Sequence, residues 1–201
     1  ALPGLADILR ETGAETLESV IVDLQTGQID NSLDPAQFDF LAAQSDPEQG
    51  VTLLPDEDIA GIGLRPNLAP VFLLRGTDGL ALIVLPVYGK GYQSTIRAYL
   101  ALEGDLNTIA GLSIYEQGET PGLGSRITDP AWLGLWSDRQ VADAQGDITI
   151  VVVRGTAASA SEVDGITGAT RSATGVANMV RFWMGPQGYG PFLTRLKAGK
   201  A

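Results

Sequence analysis

Between Val71 and Tyr115 the chain offers four strand-length runs in quick succession, with turn residues rather than helical patterns between them. The runs are Val71–Arg75, Leu80–Val87, Thr95–Leu102 and Ile109–Tyr115, rich in β-branched and aliphatic side chains. Asp78-Gly79 separates the first two as a hairpin turn would. Val20–Leu24 and Ile148–Arg154 read as two more strands. The expectation is an α+β fold, a mainly antiparallel sheet with helices at both ends of the chain.

Those helices announce themselves in different ways. Leu5–Arg10 is a short helical stretch closed by Gly13. Asp34-Pro35 and Asp129-Pro130 each place an N-cap residue before a Pro at the first helical position, starting helices through Phe38–Ala43 and Trp132–Trp136. From Ser172 the period becomes helical, with Ala173, Val176, Val180 and Trp183 on one face and Gly185-Pro186 at the end. A last helix covers Pro191–Leu196. Trp132, Trp136 and Trp183 sit at core-like spacing and read as packing residues. Residues 1–55 are more polar than the rest and read as an N-terminal extension or small subdomain ahead of the main domain, 56–201.

Composition closes several routes to function. Lys plus Arg number 13 against 24 Asp plus Glu, a formal charge of −11, which repels a polyanion and argues against nucleic acid as a partner. The chain has no Cys, which removes disulfides, thiol nucleophiles and cysteine-ligated clusters. It has no His either, so His-ligated metal sites and Ser-His-Asp catalysis are excluded, and no metal site is expected. Acidic stretches such as Asp56-Glu57-Asp58 lack the alternating ligand pattern of a calcium loop. No apolar run approaches the roughly 20 residues that span a bilayer, and Ala1 opens without a signal-peptide pattern. Either the protein is soluble or an anchor preceded Ala1.

The chemistry is concentrated in Asp164-Gly165-Ile166-Thr167-Gly168-Ala169-Thr170, between a strand and the helix that begins near Ser172. This turn delivers hydroxyls and backbone N–H groups to a helix N-terminus, where unpaired donors and the helix dipole favour a phosphate. Gly168 and Ala169 leave room for a bulky ligand against the backbone. On composition alone the plainer reading is favoured, with Thr167, Thr170 or Ser172 serving as a helix cap.

The stretch resembles the flavinylation motif Asp-x-x-(Ser/Thr)-Gly-Ala-Thr of FMN-binding domains, matched at Asp164, Thr167, Gly168, Ala169 and Thr170. More broadly, the chain resembles the C-subunit family of sodium-translocating NADH:quinone oxidoreductases. Three blocks carry the likeness: Pro86–Gly91, Ile109–Gly124 ending in Gly118-Glu119-Thr120-Pro121-Gly122-Leu123-Gly124, and Asp164–Leu193 with Arg181–Gly185 and Gly188–Leu193. The resemblance implies an FMN joined through its phosphate to the Thr170 hydroxyl by a separate FAD-dependent transferase. In that reaction the hydroxyl attacks the pyrophosphate of FAD, AMP leaves, and a phosphodiester remains. Asp164 and Thr167 become recognition and positioning residues, although Asp164 reads also as a turn former.

Two further loops enter on the same ground. In Gly118–Gly124, Pro121 presets a turn and Gly122 permits positive φ. This loop is expected to lay backbone N–H groups against a flavin edge, with Glu119 and Thr120 as side-chain contacts, Leu123 on the ring, and Gly124 as the tight exit. Relatives often have Leu-Trp after the Gly of the Gly89-Lys90-Gly91 block; here Tyr92 and Gln93 stand instead, and Tyr92 offers a smaller aromatic face. Arg154 reads either as a charge partner for phosphate and reduced flavin or as a solvated strand end.

The resemblance thus implies an electron carrier rather than a self-contained catalyst. It would work with the other subunits of a complex that oxidises NADH, reduces ubiquinone and pumps sodium ions. The domain would lie on the periplasmic (outer) face of the bacterial inner membrane, behind an N-terminal membrane helix absent from this chain. The alternatives are the G-subunit type of the related ferredoxin:NAD oxidoreductase, which shares the Thr motif and the Glu-Thr-Pro-Gly-Leu-Gly run, and a non-redox domain that binds a phosphate ligand or docks a partner.

Overall fold

The computed structural model describes residues 16–200. Its centre is a five-stranded, fully antiparallel sheet: β1 (Thr16–Asp23), β4 (Leu68–Gly76), β5 (Gly79–Lys90), β6 (Thr95–Glu103) and β7 (Ile109–Glu116), hydrogen-bonded in that order. Two small ladders lie outside it. β2 (Gly50–Thr52) pairs with β3 (Leu64–Pro66), and β8 (Val151–Val153) pairs in parallel with β9 (Glu162–Asp164). The helices are α1 (Phe40–Ala43), α2 (Pro130–Leu133), α3 (Thr170–Met184) and α4 (Gly190–Lys197), with 3-10 turns at Gly124–Thr128 and Gly134–Trp136. The expected α+β class is the one observed, and the helix expected at Leu5–Arg10 lies outside the described residues.

The sheet is built by alternation. Val71, Leu73, Ile83, Leu85, Val87, Ile96, Ala98 and Leu100 point to one face and meet the buried side of α3 in a single core. That side of α3 is wider than the stripe read from the sequence, adding Gly175, Ala177, Met179, Phe182 and Met184. Each large side chain there contributes about 1.5–3 kcal/mol by leaving water. The ladder between β4 and β5 runs from Gly76↔Gly79 only as far as Phe72↔Val84. Beyond it, side chains replace strand partners: Tyr189 Oη donates to the Pro86 carbonyl at 2.7 Å, and Trp183 Nε1 donates to that of Tyr88 at 2.6 Å. The tail Gly185–Leu193 is thereby fixed to the sheet, and Trp183 packs against Tyr88, Phe182 and Tyr189.

Several expectations need correction. Residues 1–55 were read as an extension or a small subdomain; in the described part β1 pairs with β4 along its whole length, and the β2–β3 ladder straddles position 56. The described part of that segment is an extension of the main sheet. Asp34 starts no helix; its carboxylate accepts from Ala36 N–H and Gln37 Nε2 in a local turn, and Asp39 caps α1 through Ala42 N–H. The hairpin between β4 and β5 has Thr77 and Asp78 as its loop, with Gly79 (φ +116°) as the first strand residue. Ile148–Arg154 narrows to Val151–Val153 and lies outside the main sheet. Residues 138–141 run along the approach to β7 and meet the strand at its first residue, through Asp138 N–H to Ile109 O and Ile109 N–H to Arg139 O.

Candidate functional site

The first turn of α3 settles which of its hydroxyls is available. The helix begins at Thr170, two residues earlier than the apolar period suggests, with Ala169 at the N-cap and no side chain capping it. Gly168 approaches with φ +84°, a conformation L side chains rarely adopt, while Ile166 and Ala169 are buried and anchor the turn. Thr167 and Thr170 are exposed. Ser172 is only 3% exposed and donates its hydroxyl to Glu119 at 2.5 Å. None of the three hydroxyls acts as a cap. The helix N-terminus keeps its unpaired donors and its positive dipole end, with Thr170 at the exposed position beside them.

Thr170 and Thr174 form a wall shared by two clefts. One, of about 350 Å³, lies between Val152–Gly155 and the turn Gly165–Gly168, and Arg154 lines it. The other, of about 340 Å³, lies between Asp58–Gly61 and α3, with Lys90 and Arg171 as its cations. Both volumes fall within the range of small-ligand sites. A phosphate finds helix donors and nearby cations here, and small residues leave space beside them, so the residues present fit an FMN. Exposed flat or apolar surfaces adjoin: Tyr92 is 50% exposed with the Arg171 guanidinium 5.0 Å over its ring, and Leu123 is 52% exposed. Leu123 Cδ2 stands 4.0 Å from where a Cβ on Gly168 would be, so it leans on the Gly165–Gly168 turn.

Glu119 differs from its expected role as a flavin contact. It is 4% exposed, and its two carboxylate oxygens accept five hydrogen bonds: from the N–H groups of Tyr92, Gln93 and Ser94, from Ser94 Oγ and from Ser172 Oγ. Burial pushes its pKa up, but the bonds from Ser172, Gln93 and Ser94 outweigh that and hold it below the ordinary value. Gly91 and Gly124 are small for the same reason. A Cβ on Gly91 would meet Glu119 Oε1 at 2.5 Å, and one on Gly124 would meet Ser172 Oγ at 2.6 Å.

The loop after β7 also departs from expectation. Thr120–Leu123 is a turn closed by Leu123 N–H to Thr120 O, with Gly122 at φ +72° behind Pro121, as read from the sequence. Its donors, however, mostly bond inward: Gly118 N–H to Ser94 Oγ, Glu119 N–H to Gln117 Oε1 and Gly122 N–H to Ser125 Oγ. A row of free N–H groups facing a ring edge is not present, and Leu123 and the exposed Thr120 side chain remain as the loop's contact surface. Asp164 works structurally: Oδ1 accepts from Ala157 N–H at 2.6 Å, and its carbonyl accepts from Trp132 Nε1 at 2.8 Å. This holds the 155–158 loop behind the first cleft. Arg154 is exposed at the mouth of that cleft. Sequence reasoning read Ser172 only as a possible cap, and missed Ser94, Arg171 and Arg126, whose Nη1 donates to the Thr167 carbonyl at 3.3 Å. Ser172 alone carried a signal, a hydroxyl beside Ala173 on the apolar side of a helix.

The fold and this turn define an FMN-binding domain, and the family model of that description matches residues 91–185. The C subunit of the Na⁺-translocating NADH-quinone reductase of Pseudomonas aeruginosa is 41% identical over 186 residues, 90% of this chain and 71% of that protein. The Yersinia pestis C subunit is 38% identical over 198 residues, 97% and 74% of the two chains. The crystal structure of Shewanella oneidensis NqrC superposes with a TM-score of 0.86 at 38% identity, covering 96% of this chain and 88% of that one. That of the Parabacteroides distasonis C subunit superposes at 0.69 and 23% identity, covering 96% and 84%, a likeness of fold. This chain belongs to the C-subunit family of Na⁺-translocating NADH-quinone reductases. Of the two subunit types weighed from the sequence, the comparisons bear out C rather than G.

Proposed function

We propose that the chain is the covalently flavinylated electron carrier of a sodium-pumping NADH:ubiquinone reductase, with FMN held through its phosphate on Thr170 Oγ. The observation that carries this reading is an uncapped helix N-terminus that exposes Thr170 between two clefts. A separate transferase supplies FAD and the base. The Thr170 hydroxyl gives up its proton to that base and its oxygen bonds to the FMN-side phosphorus. The bond from that phosphorus to the bridging oxygen breaks, and AMP departs with the electron pair.

When bound, FMN supplies electron transfer between the redox centres of neighbouring subunits. The chain's own contributions are positional. The N–H groups of the first turn of α3, with Arg154, would hold the phosphate charge. Leu123 and Tyr92 present apolar and aromatic surface to a ring, and Asp164 keeps the wall of the first cleft in place through Ala157. Covalent attachment retains the cofactor in every redox state, which leaves the protein to set exposure and potential.

Family membership supports the following assembly. The partners are the other subunits of the complex, and the domain works at the periplasmic face of the inner membrane. No helix among the described residues is long and apolar enough to cross a membrane. Anchorage is assigned to an N-terminal helix outside this sequence. Coexpression with the transferase should add the mass of one FMN less one water to the intact chain, and Thr170→Ala should remove that gain. A full gain in Thr170→Ala would refute the assignment.

A further inference from the structure

We propose that Glu119 is the positioning residue of the attachment turn: its carboxylate, acting through Ser172 and the Tyr92 loop, fixes the direction in which Thr170 is presented. This rests on the reading of Thr170 as the flavin acceptor.

Three successive backbone N–H groups, those of Tyr92, Gln93 and Ser94, converge on Glu119. Such a concavity binds an anion, and here the chain fills it with its own carboxylate. The remaining ligands are two hydroxyls, Ser94 Oγ at 2.9 Å and Ser172 Oγ at 2.5 Å. All five groups are donors, so only an all-acceptor side chain satisfies them. A Gln of the same shape would turn its NH₂ against N–H groups. Nothing larger fits, because Gly91 and Gly124 close on the carboxylate and on Ser172.

The consequence for Thr170 is geometric. Ser172 is the third residue of α3 and Thr170 the first, which places them roughly 200° apart around the helix axis. Holding the Ser172 hydroxyl inward turns Thr170 outward, toward the two clefts it borders. The same carboxylate fixes the loop that carries Tyr92, whose ring lies under Arg171, the residue between the two hydroxyls. One buried anion thus sets the relation between the acceptor oxygen and the aromatic face beside it.

The test uses chain made without the transferase, then incubated with FAD and transferase while flavin loading is followed by intact mass. Ser172→Ala is the informative variant, because it leaves Glu119 four of its donors and so preserves the fold, which circular dichroism verifies. It is expected to load about tenfold more slowly than wild type, the factor that one hydrogen bond to a charged group represents. Glu119→Gln is expected to load more slowly still. Once loaded, the Ser172→Ala flavin should show a displaced absorption band. Wild-type loading and a wild-type spectrum in folded Ser172→Ala would overturn the proposal and leave the Thr170 assignment standing. Failure of the wild-type chain to load at Thr170 would instead overturn that assignment.

Discussion

Gly175 on α3 lies so close to Lys90 at the end of β5 that a Cβ would stand 2.7 Å from the Lys90 carbonyl oxygen. A glycine inside a helix is ordinarily a weakness, and replacing it by Ala in an exposed position stabilises by about 0.5–1 kcal/mol. Here the sign reverses. Gly175→Ala must push α3 off the sheet and is expected to destabilise by about 1–3 kcal/mol. Urea unfolding checks it, and a gain in stability would show that the helix does not seat this closely.

Tyr189→Phe removes the hydroxyl that replaces a strand partner at Pro86. The phenol is fully buried, and burial pushes its pKa well up, so it stays a donor at any working pH. Leaving the Pro86 carbonyl without its donor is expected to cost about 1–3 kcal/mol. Flavin loading at Thr170 should not change, since Tyr189 lines neither cleft. Unfolding and mass measured on the same preparation separate the two effects.

Stability should fall in acid through Glu119. Its folded pKa lies below the ordinary value, because the donors outweigh a burial that would raise it. The stabilisation is therefore complete above the unfolded value of roughly 4.3 and is lost as pH falls through the lower folded value. Glu119→Gln should be less stable than wild type at pH 7, and the difference should shrink below about pH 4. Urea midpoints across that range test it; a difference independent of pH would contradict the assignment.

Arg154 is exposed at the mouth of the first cleft, so Arg154→Ala should change stability by no more than about 0.5 kcal/mol. Removing its positive charge should make the bound flavin harder to reduce, which spectroelectrochemistry detects as a more negative potential. An unchanged potential would make Arg154 a solvated strand end.

What the sequence disclosed and withheld follows physical lines. The strands from Leu68 to Glu116 were legible because half their residues face one core, and burial writes alternation into the chain. β1 was read short at its polar start, Thr16–Ser19, because those residues are exposed and only pairing with β4 makes them strand. Ile148–Arg154 was misplaced because β-branching specifies an extended backbone and not the partner it finds. Asp34 and Asp39 look alike as caps, and only the helix phase distinguishes them.

At the candidate site, Thr170 was singled out by a contiguous motif. The role of Glu119 was not legible, because its partners lie 27 and 53 residues away at Tyr92 and Ser172. A carboxylate that satisfies buried donors carries no mark in the sequence to separate it from one that meets a ligand. Gly124 was read as the tight exit of its loop; it and Gly91 are the space that the Glu119 carboxylate and the Ser172 hydroxyl occupy.

Arg154 and Arg171 bracket the turn that leads into Thr170, so trypsin should release it as one peptide, Gly155–Arg171, which contains Thr156, Ser159, Ser161, Thr167 and Thr170. Fragmentation of that peptide from transferase-matured protein assigns the modified oxygen directly. The added flavin phosphate should fall on Thr170. A modification on Thr167 or on either serine, or an unmodified peptide from fully matured protein, would contradict the reading of Thr170 as the acceptor.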